Sequence, residues 1–226
     1  MPADLILSND GIQCASGAIV DVKAAMPSSG TYTAGSIVLE LTTSNRLSGW
    51  KRLTTGSGHV LNTDWVYFTN LGNGTAVATT SGTSVDFIGI PTGVKRLTLA
   101  LSLMSISGTS PICTQLGDSG GIENTGYTSA YNNLGGGASG SLTTGIGLAI
   151  APNATNLYSG IVVYTLIDAA TNLWSVASQL AYTAGPGIDL GAGSKSLSAV
   201  LDRIRLTTTG GVNTFDGGTA NIFWEF

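Results

Sequence analysis

The feature that most constrains this chain is a hydrophobic period of two. In Arg96-Leu97-Thr98-Leu99-Ala100-Leu101-Ser102-Leu103, four leucines alternate with Arg, Thr, Ala and Ser. Successive strand residues face opposite ways, so the run predicts a half-buried strand with its leucines against a core. The alternation recurs with Ile204 and Leu206 against Arg203 and Arg205, and with Ile222, Trp224 and Phe226 against Phe223 and Glu225. The run Ile161 to Ile167 is continuously apolar and rich in β-branched residues, which predicts a strand buried on both faces. Nothing comparable appears at the helical period; Ser194 to Leu201 offers one or two turns at most.

Turn signals separate these runs. Gly135 to Gly137, Gly185-Pro186-Gly187, Gly210-Gly211 and Gly217-Gly218 punctuate the chain. Many short strands between such turns indicate a sandwich or barrel. The expected class is all-β: a small N-terminal β module followed by a jelly-roll-like antiparallel β-sandwich. The boundaries expected are an attachment segment over 1–20, a β module over 21–70, a Gly/Thr/Ser-rich linker over 71–84 and the sandwich over 85–226.

Charged residues make up only 10% of the chain, while 42% are hydrophobic. Disordered tails need the reverse balance. Coiled coils and helical bundles need far more Glu, Lys and Arg. The formal net charge of −4 gives no electrostatic footprint for nucleic acid. No apolar stretch reaches the roughly 20 residues of a membrane helix, so no membrane insertion is expected. The first residues show neither the basic nor the apolar region of a secretory signal. Cys14 and Cys113 lie far apart and read as free thiols. No ligand spacing suggests a metal, and no phosphate or dinucleotide fingerprint suggests a cofactor.

One string looks like chemistry. Gly117-Asp118-Ser119-Gly120-Gly121 matches the pentapeptide around the nucleophile of chymotrypsin-like serine proteases. His59 precedes it, and Asp64 or Asp86 lies between, giving the order His, Asp, Ser. That reading makes Ser119 the nucleophile, His59 the base and Asp86 the orienting acid. The context opposes it. His59 sits in Gly-Ser-Gly-His-Val, Ile122 stands where that family has Pro, and the expected linker separates His59 from Ser119. The alternative is a surface turn in which Asp and Ser bond local backbone, and no catalytic residue is assigned. Carboxylates occur singly, without the close pairs that mark a glycosidase in sequence.

Two segments resemble known phage proteins. Pro27-Ser-Ser-Gly-Thr-Tyr-Thr-Ala-Gly-Ser-Ile-Val38, followed by Gly49-Trp50-Lys-Arg-Leu-Thr-Thr-Gly56, resembles a small module of bacteriophage tail fibres and tailspikes. Ser36 stands where that pattern usually has Asp. Phe87 to Pro91, Val94 to Thr98, Gln115 to Gly117, Leu201 to Arg205 and Thr214 to Thr219 look like a β domain found at the ends of fibre and other virion proteins. The resemblance implies a structural virion protein, folded in the host cytoplasm: a short tail fibre with host-receptor binding, or alternatively a capsid decoration or head fibre protein. A serine hydrolase or glycan depolymerase is the further alternative. The implied partners are identical copies in a homotrimer, other virion proteins, and a host glycan or envelope receptor. Near the Gly- and Asn-rich loops, Tyr127, Tyr131 and Trp174 are the receptor-binding candidates.

Overall fold

A computed structural model describes residues 6–8, 11–13, 17–40, 49–67, 71–150, 152–183, 185 and 187–226. Every regular element among them is a strand. The chain divides into two compact units, 1–70 and 71–226.

The first unit is one sheet of six strands in sequence order: β1 (Ile6–Ser8), β2 (Gly11–Gln13), β3 (Ile19–Lys23), β4 (Ile37–Glu40), β5 (Gly49–Arg52) and β6 (Trp65–Tyr67). Only β3 and β4 run parallel. The expected attachment segment 1–20 thus contributes strands β1 and β2 and opens β3. Its core is Tyr32, Val38, Trp50 and Trp65, with the Tyr32 and Trp65 rings edge to face at 4.9 Å.

The segments 27–38 and 49–56 meet here. Tyr32 and Gly56 exchange backbone hydrogen bonds of 3.0 and 2.9 Å. Arg52, 1% exposed, donates to the carbonyls of Thr54 and Gly58 and lies 5.2 Å over the Trp65 ring. One buried guanidinium therefore ties the 53–64 loop to its strand, because its fork matches several carbonyls at once.

Ser36 is fully buried, and its hydroxyl accepts the Ile19 N–H at 3.0 Å. The departure from Asp keeps an acceptor at this position.

The second unit is a two-sheet sandwich. Its strands are β7 (Gly72–Asn73), β8 (Val77–Ala78), β9 (Ser84–Ile88), β10 (Arg96–Ile106), β11 (Ile112–Asp118), β12 (Gly121–Ile122), β13 (Thr128–Asn133), β14 (Ser139–Leu142), β15 (Ile146–Ala149), β16 (Tyr158–Asp168), β17 (Leu173–Tyr182), β18 (Gly187–Ser196), β19 (Arg203–Thr208) and β20 (Phe215–Glu225). The smaller sheet runs β9-β19-β11, with β15 and β12 both on the free side of β11. The larger runs β14-β13-β18-β17-β16-β10-β20, with β7 and β8 on β20. From β9 onward the chain passes back and forth between the sheets, with β11–β12, β13–β14 and the β16–β18 meander each staying in one sheet, and every pairing in this unit is antiparallel. This is the jelly-roll strand order, with the β16–β18 meander in place of one strand.

Between the sheets lie Leu97, Leu99, Ile112, Leu116, Ile146, Leu148, Val162, Tyr164, Val176, Leu180, Ile204 and Leu206. Glycine sets how closely the sheets approach. A Cβ at Gly191 on β18 would fall 2.1 Å from the Gly147 carbonyl of β15. Cys113 is a free, buried thiol whose pKa burial pushes up to about 12. Cys14 lies outside the described residues.

Three expectations are corrected. The stretch 71–84 is sheet edge and not a flexible tether: β7 and β8 bond to β20, and buried Thr79 donates to the Gly217 carbonyl at 2.6 Å. Its small residues permit this, since a Cβ at Gly72 would fall 1.9 Å from Trp224 Nε1.

Leu103 does not follow Leu97, Leu99 and Leu101 into the core. The β10–β20 register shifts between Ser102 and Ser105, Leu103 takes φ 53°, and its side chain turns to solvent. A bulge reverses which face a residue takes.

Ile161 to Ile167 is buried on one face only. Val162 and Tyr164 face the core, whereas Ile161 and Ile167 are 46% and 59% exposed. Among the described residues of the unit, no second layer covers them.

Ser36→Ala would leave the part-buried Ile19 N–H without its acceptor, at a cost of about 1 kcal/mol. Ser36→Asp restores an acceptor and should recover most of that loss. Urea unfolding of the two variants followed by tryptophan fluorescence checks this.

Candidate functional site

The Gly117–Gly121 string forms the β11–β12 turn, where Gly117 pairs with Ile122 and Asp118 with Gly121. Ser119 is exposed at its tip. Asp118 is 5% exposed and points back into the fold. Its Oδ1 accepts the Gly120 N–H at 2.7 Å, and its Oδ2 accepts the Ser198 hydroxyl at 2.6 Å. These bonds, the Ser198 one first, hold its pKa below the ordinary aspartate value.

The other members of the sequence triad are committed elsewhere. In the first unit, His59 Nε2 lies 3.0 Å from the Gly30 carbonyl, and Nδ1 lies 3.4 Å from Trp65 Nε1. The carbonyl requires a donor at Nε2, and the indole N–H requires an acceptor at Nδ1. Both ring nitrogens are thus engaged within the first unit. Asp86 is held by Arg205 through two bonds of 2.7 Å. Asp64 accepts from the Val60 N–H and the Thr54 hydroxyl beside Arg52.

The turn instead anchors a polar clamp. Glu123 accepts the Ser198 N–H at 2.8 Å and pairs with Lys195 at 2.5 Å. Ser198 Oγ lies 2.6 Å from Asp118 and 2.9 Å from Glu123, so one hydroxyl bridges two carboxylates. Burial opposes ionisation of Glu123, but the bonds from Lys195 and Ser198 outweigh it and hold its pKa below the usual value. A general acid needs a raised pKa; these two carboxyls are both shifted down. Nothing in sequence points to the clamp, because Glu123 and Ser198 are 75 residues apart.

All three receptor candidates are buried, which corrects their expected surface position. Tyr127 is 3% exposed; its hydroxyl accepts the Leu116 N–H and donates to the Glu123 carbonyl, each at 2.7 Å. The Lys195 ammonium lies 5.5 Å over its ring. It is the pillar of the clamp. Tyr131 packs inward against Gly147, and its flank forms part of a shallow groove of about 720 Å³ with Asn132, Ser139, Ser141, Leu190 and Ala192. Trp174 closes the end of the core, in the wall of a smaller pocket. Aromatic residues beside loops terminate a sandwich core as readily as they decorate a surface.

The most distinctive surface is the outward face of the large sheet. One register row reads Phe223, Thr98, Val163, Ala177, Ala192, Ala130, Ser141 across seven strands. The next reads Asn221, Ala100, Ile161, Gln179, Leu190, Asn132, Ser139. A third, ending the face, runs Glu225, Arg96, Thr165, Ser175, Ser194, Thr128, and carries its one ion pair, at 4.0 Å. Among the described residues the first two rows hold no charge. Ile161, Leu190 and Phe223 are 46%, 37% and 43% exposed.

Among the described residues no group of three or more His, Cys, Asp or Glu is placed to hold a metal, and no helix is long and apolar enough to cross a membrane. Comparison with protein families, with curated proteins and with solved structures finds no match.

The depressed carboxyls fix a pH dependence. A lowered folded pKa means that the unfolded chain binds more protons in acid, so the clamp stabilises the fold above the ordinary values of 4.5 for Glu and 3.8 for Asp. That contribution is lost as pH falls through and below this range. Unfolding midpoints measured from neutral pH to about pH 3 should fall. Ser198→Ala should be less stable at neutral pH and show a flatter acid limb.

Proposed function

We propose that this protein is a structural virion component of a bacteriophage, a short tail fibre that assembles as a homotrimer and contacts the host surface. The observation that carries the reading is the uncharged outward face of the large sheet. Seven strands at roughly 4.8 Å spacing, over about 20 Å of their length, present on the order of 700 Å². That approaches the roughly 800 Å² per partner of a standard interface. Its exposed apolar residues Ile161, Leu190 and Phe223, its small Ala and Ser neighbours and its ion pair at one end suit a contact patch with a polar end. A large uncharged patch on a soluble chain marks a contact surface.

Ile161 to Ile167 supports the same reading. Its sequence is that of a strand covered on both sides, and the described residues of its own unit supply one cover. A second copy is the surface available to every copy, and closed rings are the common outcome of such self-contact. The fibre-like motif adds support: its residues make one closed unit, with Tyr32 bridged to Gly56 and Arg52 holding the intervening loop.

The role proposed is structural and non-enzymatic. His59 has both ring nitrogens engaged within its own unit, and Asp118 and Glu123 are depressed in pKa. A fluorophosphonate should leave Ser119 unlabelled; labelling abolished by Ser119→Ala would restore the hydrolase reading.

Light scattering should give three times the 22.9 kDa chain mass. Ala177→Asp and Ile161→Lys, both at exposed positions of the face, should shift the protein to monomers at micromolar concentration while circular dichroism stays unchanged. A wild-type monomer at that concentration would overturn the assembly.

A further inference from the structure

We propose that Leu103 of one copy seats in the apolar pocket beside Leu134 and Ile188 of the next, and that this knob and hole set the register of the ring. The inference rests on the self-assembly reading and names the residues at its contact.

The outward face has a fourth row, at the end opposite the Arg96–Glu225 pair. It runs Thr219, Ser102, Ser159, Ala181 and Ile188 across β20, β10, β16, β17 and β18. It then reaches Leu134, whose N–H donates to the Ile188 carbonyl at 2.9 Å. None of these residues is charged. Leu103 is inserted into this row. Leu101 pairs with Gly160 and Met104 with Tyr158, so Ser102 and Leu103 together oppose Ser159. Both are exposed while Leu101 and Met104 are buried, so the bulge puts both on the outward side.

The chain commits several residues to holding Leu103 there. Its φ of 53° lies in the left-handed region, which Gly and Asn adopt far more readily than Leu. Its N–H donates to the Ser159 hydroxyl at 2.9 Å instead of to the ladder. Opposite it stands Gly218 at φ 88°, where a Cβ would fall 2.4 Å from the Leu103 carbonyl. The outcome is a strained leucine 51% exposed to solvent. Neither the strain nor the exposure stabilises an isolated chain. An apolar side chain held outward against its own backbone preference is accounted for by a contact beyond its chain.

The same face holds a seat for it. Leu134, Gly135, Gly187 and Ile188 line a pocket of about 320 Å³. Leu103 cannot fill the pocket of its own chain, because four strand spacings, about 19 Å, separate β10 from β13. A neighbouring copy can fill it. Every copy carries both parts, as a head-to-tail contact requires, and such contacts close into a ring when the rotation brings no shift along the axis. Leu103 and Leu134 share one register row, so knob and hole stand at one level for an axis that runs along the strands. The uncharged rows beside them continue the contact over the rest of the face.

Leu103→Asn tests the knob, since asparagine accepts the left-handed backbone and removes the apolar group. The concentration at which the trimer half-dissociates, read by light scattering, should rise at least tenfold while circular dichroism is unchanged. Assembly as tight as wild type would overturn the inference. Cross-linking tests the seat. In a Cys14→Ser background, with Cys113 buried, the double variant Leu103→Cys, Leu134→Cys is oxidised with diamide and run on a non-reducing denaturing gel. A disulfide needs Cα atoms within about 7 Å, so these two cysteines can bridge only between copies. The double variant should give a covalent trimer and neither single variant should give any covalent species. Bands that stay at monomer, stop at dimer or run past trimer would overturn the inference, as would a covalent dimer from Leu103→Cys alone. Light scattering of the wild type separates the two readings: a trimer without the bridge sinks this inference alone, and a monomer sinks the assembly with it.

Discussion

The second unit depends on covering one face of a very long sheet. Strands β10, β16, β17, β18 and β20 each reach ten or eleven residues. Antiparallel sheets tolerate one wet face and one dry one, and the smaller sheet supplies the dry side. Its close approach relies on absent side chains, as at Gly191 over the Gly147 carbonyl. Everything else follows from that seam. The clamp of Asp118, Glu123, Lys195 and Ser198 sits along its border, Tyr127 spans it, and the end pocket is the gap where its last ring, Trp174, meets the loops. The outward face is what remains when one cover has been used.

The scarcity of charge becomes intelligible in this frame. Six of the eight described basic residues form ion pairs, and only the Arg96–Glu225 pair lies on the three outward rows of the large sheet, in the last of them. Arg52 and Lys195 are buried and hold loops. Removing either partner of such a pair strands a charge, which costs far more than the pair contributes over an apolar replacement. Charge here fixes local geometry, and Ser, Thr, Asn and Gly keep the rest wet. Low charge over a face also removes the repulsion that would keep two copies apart.

The Gly-Asp-Ser-Gly-Gly string shows how far a motif can stand from its chemistry. A catalytic serine needs a base within hydrogen-bond reach and an acid to orient that base. Here the histidine has both ring nitrogens bonded within its own unit, and the aspartate of the string serves Ser198. Glycine and Asp occur in it for the reason they occur in tight turns: one gives conformational freedom and the other bonds the backbone two residues on. Gly121, at φ 135°, and the Asp118 bond to Gly120 N–H are that turn.

By itself the sequence determined the class, four of the strands and the inward faces of the regular ones. Leu97, Leu99 and Leu101, Ile204 and Leu206, and Ile222 all point as their period of two requires, because alternation is local and the pleat transmits it directly to burial. Tertiary structure alone decided the rest. A bulge turned Leu103 outward, pairing with β20 made the Gly/Thr-rich stretch 71–84 a sheet edge, and enclosure took Tyr127, Tyr131 and Trp174 from the surface. It also joined Glu123 to Ser198. Each of these depends on contacts between residues distant in the chain, and composition or periodicity carries no record of which distant groups will meet.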